Sequence, residues 1–393
     1  MVTMPDYYEF YCPVKIVSGK KALANLPYEM DQLGSKKAMV ITDRGVVNAG
    51  LLKLVEESFQ GWDGEIGALY DQTPPDSSDK VVNEIARTYR EKECDCIVAV
   101  GGGSSIDTAK GVNIVVTEGT ENLLAYQGAE RLKNKTRPFI VIPTTAGTGS
   151  EATSAAVITN TDKGIKMSIT SYQLIPDTAI IDPKMTQTMP PKITAATGMD
   201  ALTHAVEAYY CLQKNPVSDA FSVGAIRLIV PYLVKAVQDG KAEQARMAMA
   251  NGALLAGISF SNSLVGIVHT LAHATGGVAH VPHGVANSIF LPWGLEYNLE
   301  KSAADIAELA PFFGKAETGN ARKDAEAVIS AVREIREKLY ELCGLPRTLK
   351  EAGVDEKKLE EIAGVAINDG TVAMNPEEVT KEDALNLLKK AYG

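Results

Sequence analysis

All five histidines of this 393-residue chain lie between positions 204 and 283. Asp200 and His204 are four residues apart in Gly198-Met-Asp-Ala-Leu-Thr-His204, and so are His269 and His273 in Val268-His-Thr-Leu-Ala-His273. That step puts two side chains on one face of a helix. His280 and His283 flank Val281-Pro282, just after a Gly-Gly pair. Two such helices facing each other, with a histidine from the following loop, would supply three imidazoles and a carboxylate. Such a set suits a first-row divalent metal. The plainer reading is a group of buried core histidines, but the clustering and the aspartate at helical spacing weigh against it.

A second chemistry is written in two glycine-bearing stretches. Val98-Ala-Val-Gly101-Gly102-Gly103-Ser104-Ser105-Ile-Asp107-Thr-Ala-Lys110 reads as a strand, a tight turn and a helix start. Glycines there allow close approach to a pyrophosphate, and the helix N-terminus offers free N–H groups, with Ser104 or Ser105 as the expected N-cap. Pro143-Thr144-Thr145-Ala-Gly147-Thr148-Gly149-Ser150-Glu151 also follows an apolar run. Two small polar loops at strand ends point to a phosphate-bearing ligand. This is not the G-x-G-x-x-G pattern. Glu118 and Glu121, although near the usual spacing, do not end a strand and are not taken as its acidic residue. Asp43 does end a strand. It would either accept hydrogen bonds from an adenosine ribose, repelling a 2′-phosphate, or cap a turn.

The elements that must carry these residues divide the chain. Ala38–Thr42, Cys96–Val100, Pro138–Ile142 and Ala179–Pro183 read as strands, with helical patterns near Leu51–Phe59, Lys80–Glu91 and Ser105–Val116. Strand–helix alternation predicts a parallel sheet covered on both faces. After Pro190-Pro191 the periodicity is helical throughout, and Glu326–Leu342 and Lys357–Val365 are amphipathic. The expected organisation is an α/β dinucleotide-binding domain over 1–185 and an all-helical metal-binding domain over 186–393.

Composition narrows the partners. A net charge of −10 argues against nucleic acid or an anionic membrane surface. Cys12, Cys94, Cys96, Cys211 and Cys343 are scattered, which suits a reducing cytoplasm, and Met1-Val-Thr-Met-Pro-Asp6 does not read as a signal peptide. Met247–Leu295 contains no Asp, Glu, Lys or Arg, yet Gly, Ser, Asn and His interrupt it. Buried helices around a polar site explain it better than membrane spans.

The motifs quoted above, with Asp182-Pro183, Met189-Pro-Pro191 and the run from His269 through His283-Gly284, resemble those of the iron-dependent (group III) alcohol dehydrogenases along nearly the whole chain. The resemblance implies the dehydroquinate synthase-like fold, a homodimer or larger homo-oligomer, and reversible oxidation of a small alcohol with NAD and Fe²⁺, with Zn²⁺ or another divalent ion as an alternative. It implies Asp200, His204, His269 and His283 as metal ligands and His273 as a catalytic histidine outside the ligand set. It implies Gly102, Gly103, Ser104, Asp107, Thr144, Thr145, Thr148 and Lys166 as cofactor contacts, and Asp43 as the residue favouring NAD. His280 receives no role, and Glu377-Glu378 stands where many members carry a basic residue. Phe260 is either a pocket wall or a core aromatic. A polyol dehydrogenase, a metal-dependent lyase or hydrolase, and a non-catalytic nucleotide-binding protein are the competing readings.

Overall fold

The structure, a computed structural model, describes residues 4–393. The start of the segment read above for a signal sequence lies outside the described residues. Contacts group the chain into two compact units: Tyr11–Thr188, and Met189–Gly393 together with the described residues up to Phe10.

The first unit contains strands β1 (Lys15–Ser18), β2 (Lys37–Ile41), β3 (Glu65–Tyr70), β4 (Cys96–Gly101), β5 (Gly128–Ala129), β6 (Phe139–Pro143), β7 (Ala155–Asn160), β8 (Ile165–Thr170) and β9 (Thr178–Ile181). Its helices are α1 (Leu26–Gln32), α2 (Arg44–Asn48), α3 (Leu51–Ser58), α4 (Asp79–Glu91) and α5 (Gly103–Glu118). Six strands form one parallel sheet in the order β1-β9-β6-β4-β2-β3. Alternation along each strand sends side chains to two cores. Met39, Ile41, Ile97, Ala99 and Val141 pack with α4 and α5. Ala38, Val40, Cys96, Val98, Val100, Ile140 and Ile142 pack with α1 and α3 on the opposite face.

The chain steps outward from β2 to β3, then returns to lay β4 on the other side of β2. Strand order reverses there, and ligands of open α/β sheets bind outside the carboxyl ends at such a point. Register pairs Gly101 with Pro143, so the loops after β4 and β6 leave the sheet side by side. A smaller sheet, β5-β8-β7, was not anticipated from sequence. Its strands β7 and β8, like β3, are only partly buried and lack the continuous apolar run of the central strands, and β5 is exposed.

The second unit is helical among the described residues: α6 (Pro191–Tyr210), α7 (Pro216–Gln238), α8 (Glu243–Ser261), α9 (Ile267–Ala279), α10 (His283–Tyr297), α11 (Leu299–Ala307), α12 (Ala321–Cys343), α13 (Leu359–Ala366) and α14 (Lys381–Tyr392). The uncharged run over 247–295 forms most of α8, all of α9 and most of α10, and its side chains are largely buried. A different helix, α7, is long and apolar enough to cross a membrane by length and composition. It packs on α6 and α8 within this unit.

Candidate metal centre and nucleotide loops

Three helices of the second unit bring the histidines together. Asp200 and His204 stand one turn apart on α6, His269 and His273 one turn apart on α9, and His283 is the first residue of α10. One donor atom from each of Asp200, His204, His269 and His283 lies within 4.8 Å of all the others. The close approach of α10 to α6 depends on Gly284, where a Cβ would meet the Ala196 carbonyl oxygen at 2.4 Å. Any side chain there would push His283 away from Asp200.

Burial sets the electrostatics. Loss of solvation holds His204 and His269 well below the usual imidazole range, and it pushes the Asp200 carboxyl up. These two imidazoles are therefore neutral, the form that offers a lone pair to a cation, beside the buried Asp200 carboxyl. This donor set fits a divalent first-row ion. The Phe260 ring stacks on His204 with centroids 4.2 Å apart and forms the wall beside it.

His269 is oriented by Glu207, a residue that sequence reasoning passed over. The Glu207 carboxylate is 2.6 Å from His269 Nδ1 and accepts the Val268 and His269 backbone N–H groups at 2.8 and 3.2 Å. With Nδ1 on the carboxylate, Nε2 faces the other donors. Burial raises Glu207 to about 7, against the pull of those N–H groups. Asn375 caps the same helix end, accepting from Ile267 N–H at 3.1 Å. A Cβ at Gly266 would meet the Asn375 side-chain oxygen at 2.7 Å, so glycine admits both caps.

His273 is 42% exposed, and its Nδ1 lies 2.9 Å from Asp369. Burial would raise Asp369, but hydrogen bonds from His273 and Thr371, with the positive charge that the His273 ring carries when protonated, outweigh it and hold the carboxyl at about 2. The His273 and His283 rings stack with centroids 5.3 Å apart. His280 ends α9 in the left-handed region, φ 58°, and is exposed.

In the first unit the two glycine loops pack on each other. A Cβ at Gly102 would meet Thr145 Cγ2 at 3.1 Å, and one at Gly103 would meet Thr148 Cγ2 at 3.0 Å. Thr144 N–H donates to the Gly101 carbonyl at 3.0 Å. The expected serine N-cap is not found. Gly102 caps α5 without a side-chain hydrogen bond, because Ser104 Oγ donates to the Pro75 carbonyl and Ser105 Oγ donates to Asp43 at 2.9 Å. The N-cap glycine thus offers the first-turn N–H groups no side-chain acceptor, which fits a ligand phosphate.

Asp43 caps α2, accepting Val46 N–H at 3.0 Å through Oδ1, and takes Ser105 through Oδ2. The capping alternative is therefore realised in the structure, next to the glycine turn. Asp107 points elsewhere: its carboxylate accepts Val157 N–H at 3.0 Å from β7. Lys166 lies on β8 and pairs with exposed Asp76 at 3.0 Å. Asp76 belongs to the loop after β3, which also anchors the glycine turn through Ser77, whose hydroxyl donates to the Ser104 carbonyl at 2.8 Å.

Comparison with known proteins falls on both units. The profile described as "Iron-containing alcohol dehydrogenase" matches residues 13–183, and that described as "Fe-containing alcohol dehydrogenase family, C-terminal" matches 194–392. The chain belongs to the iron-containing alcohol dehydrogenase family. An NAD-dependent methanol dehydrogenase of Bacillus methanolicus is 36% identical over 97% of this chain and 99% of its own length. A 1,3-propanediol dehydrogenase of Klebsiella pneumoniae is 37% identical over 98% and 99%. A crystal structure of a 1,3-propanediol oxidoreductase superposes with a TM-score of 0.92, at 36% identity, covering 98% of this chain and all of that one.

For this family member, three site residues escaped sequence reasoning. Glu207 and Asn287, whose side-chain nitrogen lies 2.6 Å from Asp200 Oδ1, carried a usable signal: Glu207 is one helical turn beyond His204, and Asn287 one turn beyond His283. Asp369 carried none, because it comes from a separate segment 96 residues after His273.

Proposed function

We propose that this alcohol dehydrogenase interconverts a small alcohol and its aldehyde or ketone, using NAD and one divalent ion held by Asp200, His204, His269 and His283. The family points to Fe²⁺, and the donor set also accepts Zn²⁺. The observation that carries the reading is the convergence of neutral imidazoles on a buried carboxylate. When bound, the ion supplies Lewis acidity at the alcohol oxygen and the nicotinamide supplies a hydride-accepting carbon, so CH–OH becomes C=O with release of one proton.

The chain's own groups do the rest. Glu207 fixes the ring of His269. Asp369 accepts from His273 Nδ1–H, which leaves the Nε2 lone pair of this exposed ring to take up the released proton. Gly102, Gly103, Thr144, Thr145 and Thr148 form the wall against which the cofactor phosphates would lie. Asp43 would disfavour NADP through its charge. Asp107 and Lys166 serve this site by holding β7 and the loop after β3. The methanol and propanediol relatives favour a short primary alcohol or diol. We also propose a cytoplasmic location, on the five free cysteines, and a homo-oligomer, as the family resemblance implies.

The deciding experiment loads the purified protein anaerobically with Fe²⁺, or with Zn²⁺, and follows NADH formation across methanol, longer primary alcohols and 1,3-propanediol. Turnover with a short alcohol, lost with the metal in His269→Ala, is the expected result. Full metal content and turnover in that variant would refute the ligand set.

A further inference from the structure

Asn287 occupies an unusual place. Its side-chain nitrogen lies 2.6 Å from Asp200 Oδ1 and 3.1 Å from the Nε2 atoms of both His269 and His283. It thus contacts three of the four residues of the proposed metal set, each at an atom able to bind a cation. Its own carbonyl oxygen is buried with no hydrogen-bond partner among the described residues. The three acceptors, and not a partner for the oxygen, therefore hold the amide in this orientation. A neutral imidazole nitrogen has a single lone pair, which can meet either an N–H hydrogen or a cation. His269 is committed to this choice at Nε2, because its Nδ1 is engaged by Glu207. The amide also has only two hydrogens for three acceptors, so it satisfies the cluster incompletely.

We propose that Asn287 is a positioning residue that competes with the divalent ion for the lone pairs of Asp200, His269 and His283. Metal loading requires its amide to turn out of the cluster. The inference rests on the metal reading above. Hydrogen bonds to a charged acceptor are strong enough for the competition to alter affinity about tenfold. A residue that merely supported the ligands would act in the opposite direction, since its loss would weaken metal binding.

The test uses full-length protein stripped with a chelator and titrated with Zn²⁺ against a chromogenic competitor. Asn287→Ala and Asn287→Ser should each bind Zn²⁺ about tenfold more tightly than the parent. Equal or weaker binding in either folded variant overturns the proposal. A crystal structure of the unmutated protein soaked with Zn²⁺ decides the matter even if both variants fail to fold. The Asn287 nitrogen should then lie beyond hydrogen-bond reach of His269 and His283 Nε2, and its retention there with zinc bound would overturn the inference. Zinc absent from the Asp200–His283 cluster would instead bring down the metal reading, and this inference with it.

Discussion

Glu207 holds His269 twice, at the ring and at the backbone, and each carboxylate oxygen accepts from a different donor. Glutamine cannot replace it, since its amide nitrogen would face an N–H on one side or the other. Glu207→Gln should lower metal affinity about 10–100-fold, and unchanged affinity in a chelator competition would show that the ring needs no such support. His273 shares a helix face with His269 but pairs with Asp369 at the exposed side of the cluster. His273→Ala should therefore keep the metal and lose turnover about 10²–10⁴-fold; metal lost along with activity would place it among the ligands. Asp43 is both a helix cap and a charge. Asp43→Ser retains a capping oxygen and removes the charge, so relative efficiency with NADP should rise at little cost in stability. An unchanged cofactor preference would confine Asp43 to its capping role.

At the scale of elements, α5 carries a buried ionisable group beneath the glycine turn. Lys110 is fully buried and donates to the Thr153 carbonyl at 2.7 Å, the Thr153 hydroxyl at 3.1 Å and the Ala155 carbonyl at 2.9 Å. These bonds tie the helix to the loop leading into β7. Burial lowers Lys110 to about 8 and raises Asp107 to about 6 and Glu151 to about 7. For Glu151 the folded state keeps its proton up to about pH 7, whereas the unfolded chain releases it above about 4.5. The folded state binds more protons across that window, so this group's contribution to stability falls as pH rises through it. Glu151→Gln mimics the protonated form. Its melting temperature should gain on the parent between pH 5 and pH 8, by about 2–4 °C per kcal/mol for a unit of this size. A constant difference across that range would show that Glu151 does not titrate there.

At the scale of the whole molecule, the residues for the two proposed ligands belong to different compact units, the cofactor loops to Tyr11–Thr188 and the Asp/His cluster to Met189–Gly393. A ligand that binds only folded protein stabilises it by about 2.7 kcal/mol at 100 times its Kd. Calorimetry with NAD and with Zn²⁺, added singly, should show a shift for each in the parent. In Asp200→Ala only the NAD shift should survive. Loss of both would mean that the carboxylate supports more than the metal cluster.

Much of this was legible in the residues alone. Central strands β2, β4, β6 and β9 are buried on both faces, so their apolar runs are continuous and identify themselves. The Asp200–His204 and His269–His273 pairs follow from helical geometry, which is a local property. Strands β3, β7 and β8, half-exposed and mixed in composition, had no such run. Ser104 and Ser105 looked like caps because capping is a local preference, but partners in the loop after β3 and at the end of β2 took their hydroxyls. The same holds for Asp369, Asn375 and the packing of Gly284 on Ala196. Each is a contact between segments far apart in the chain. Periodicity and spacing report which side chains share a face, and only the packed helices decide which faces meet.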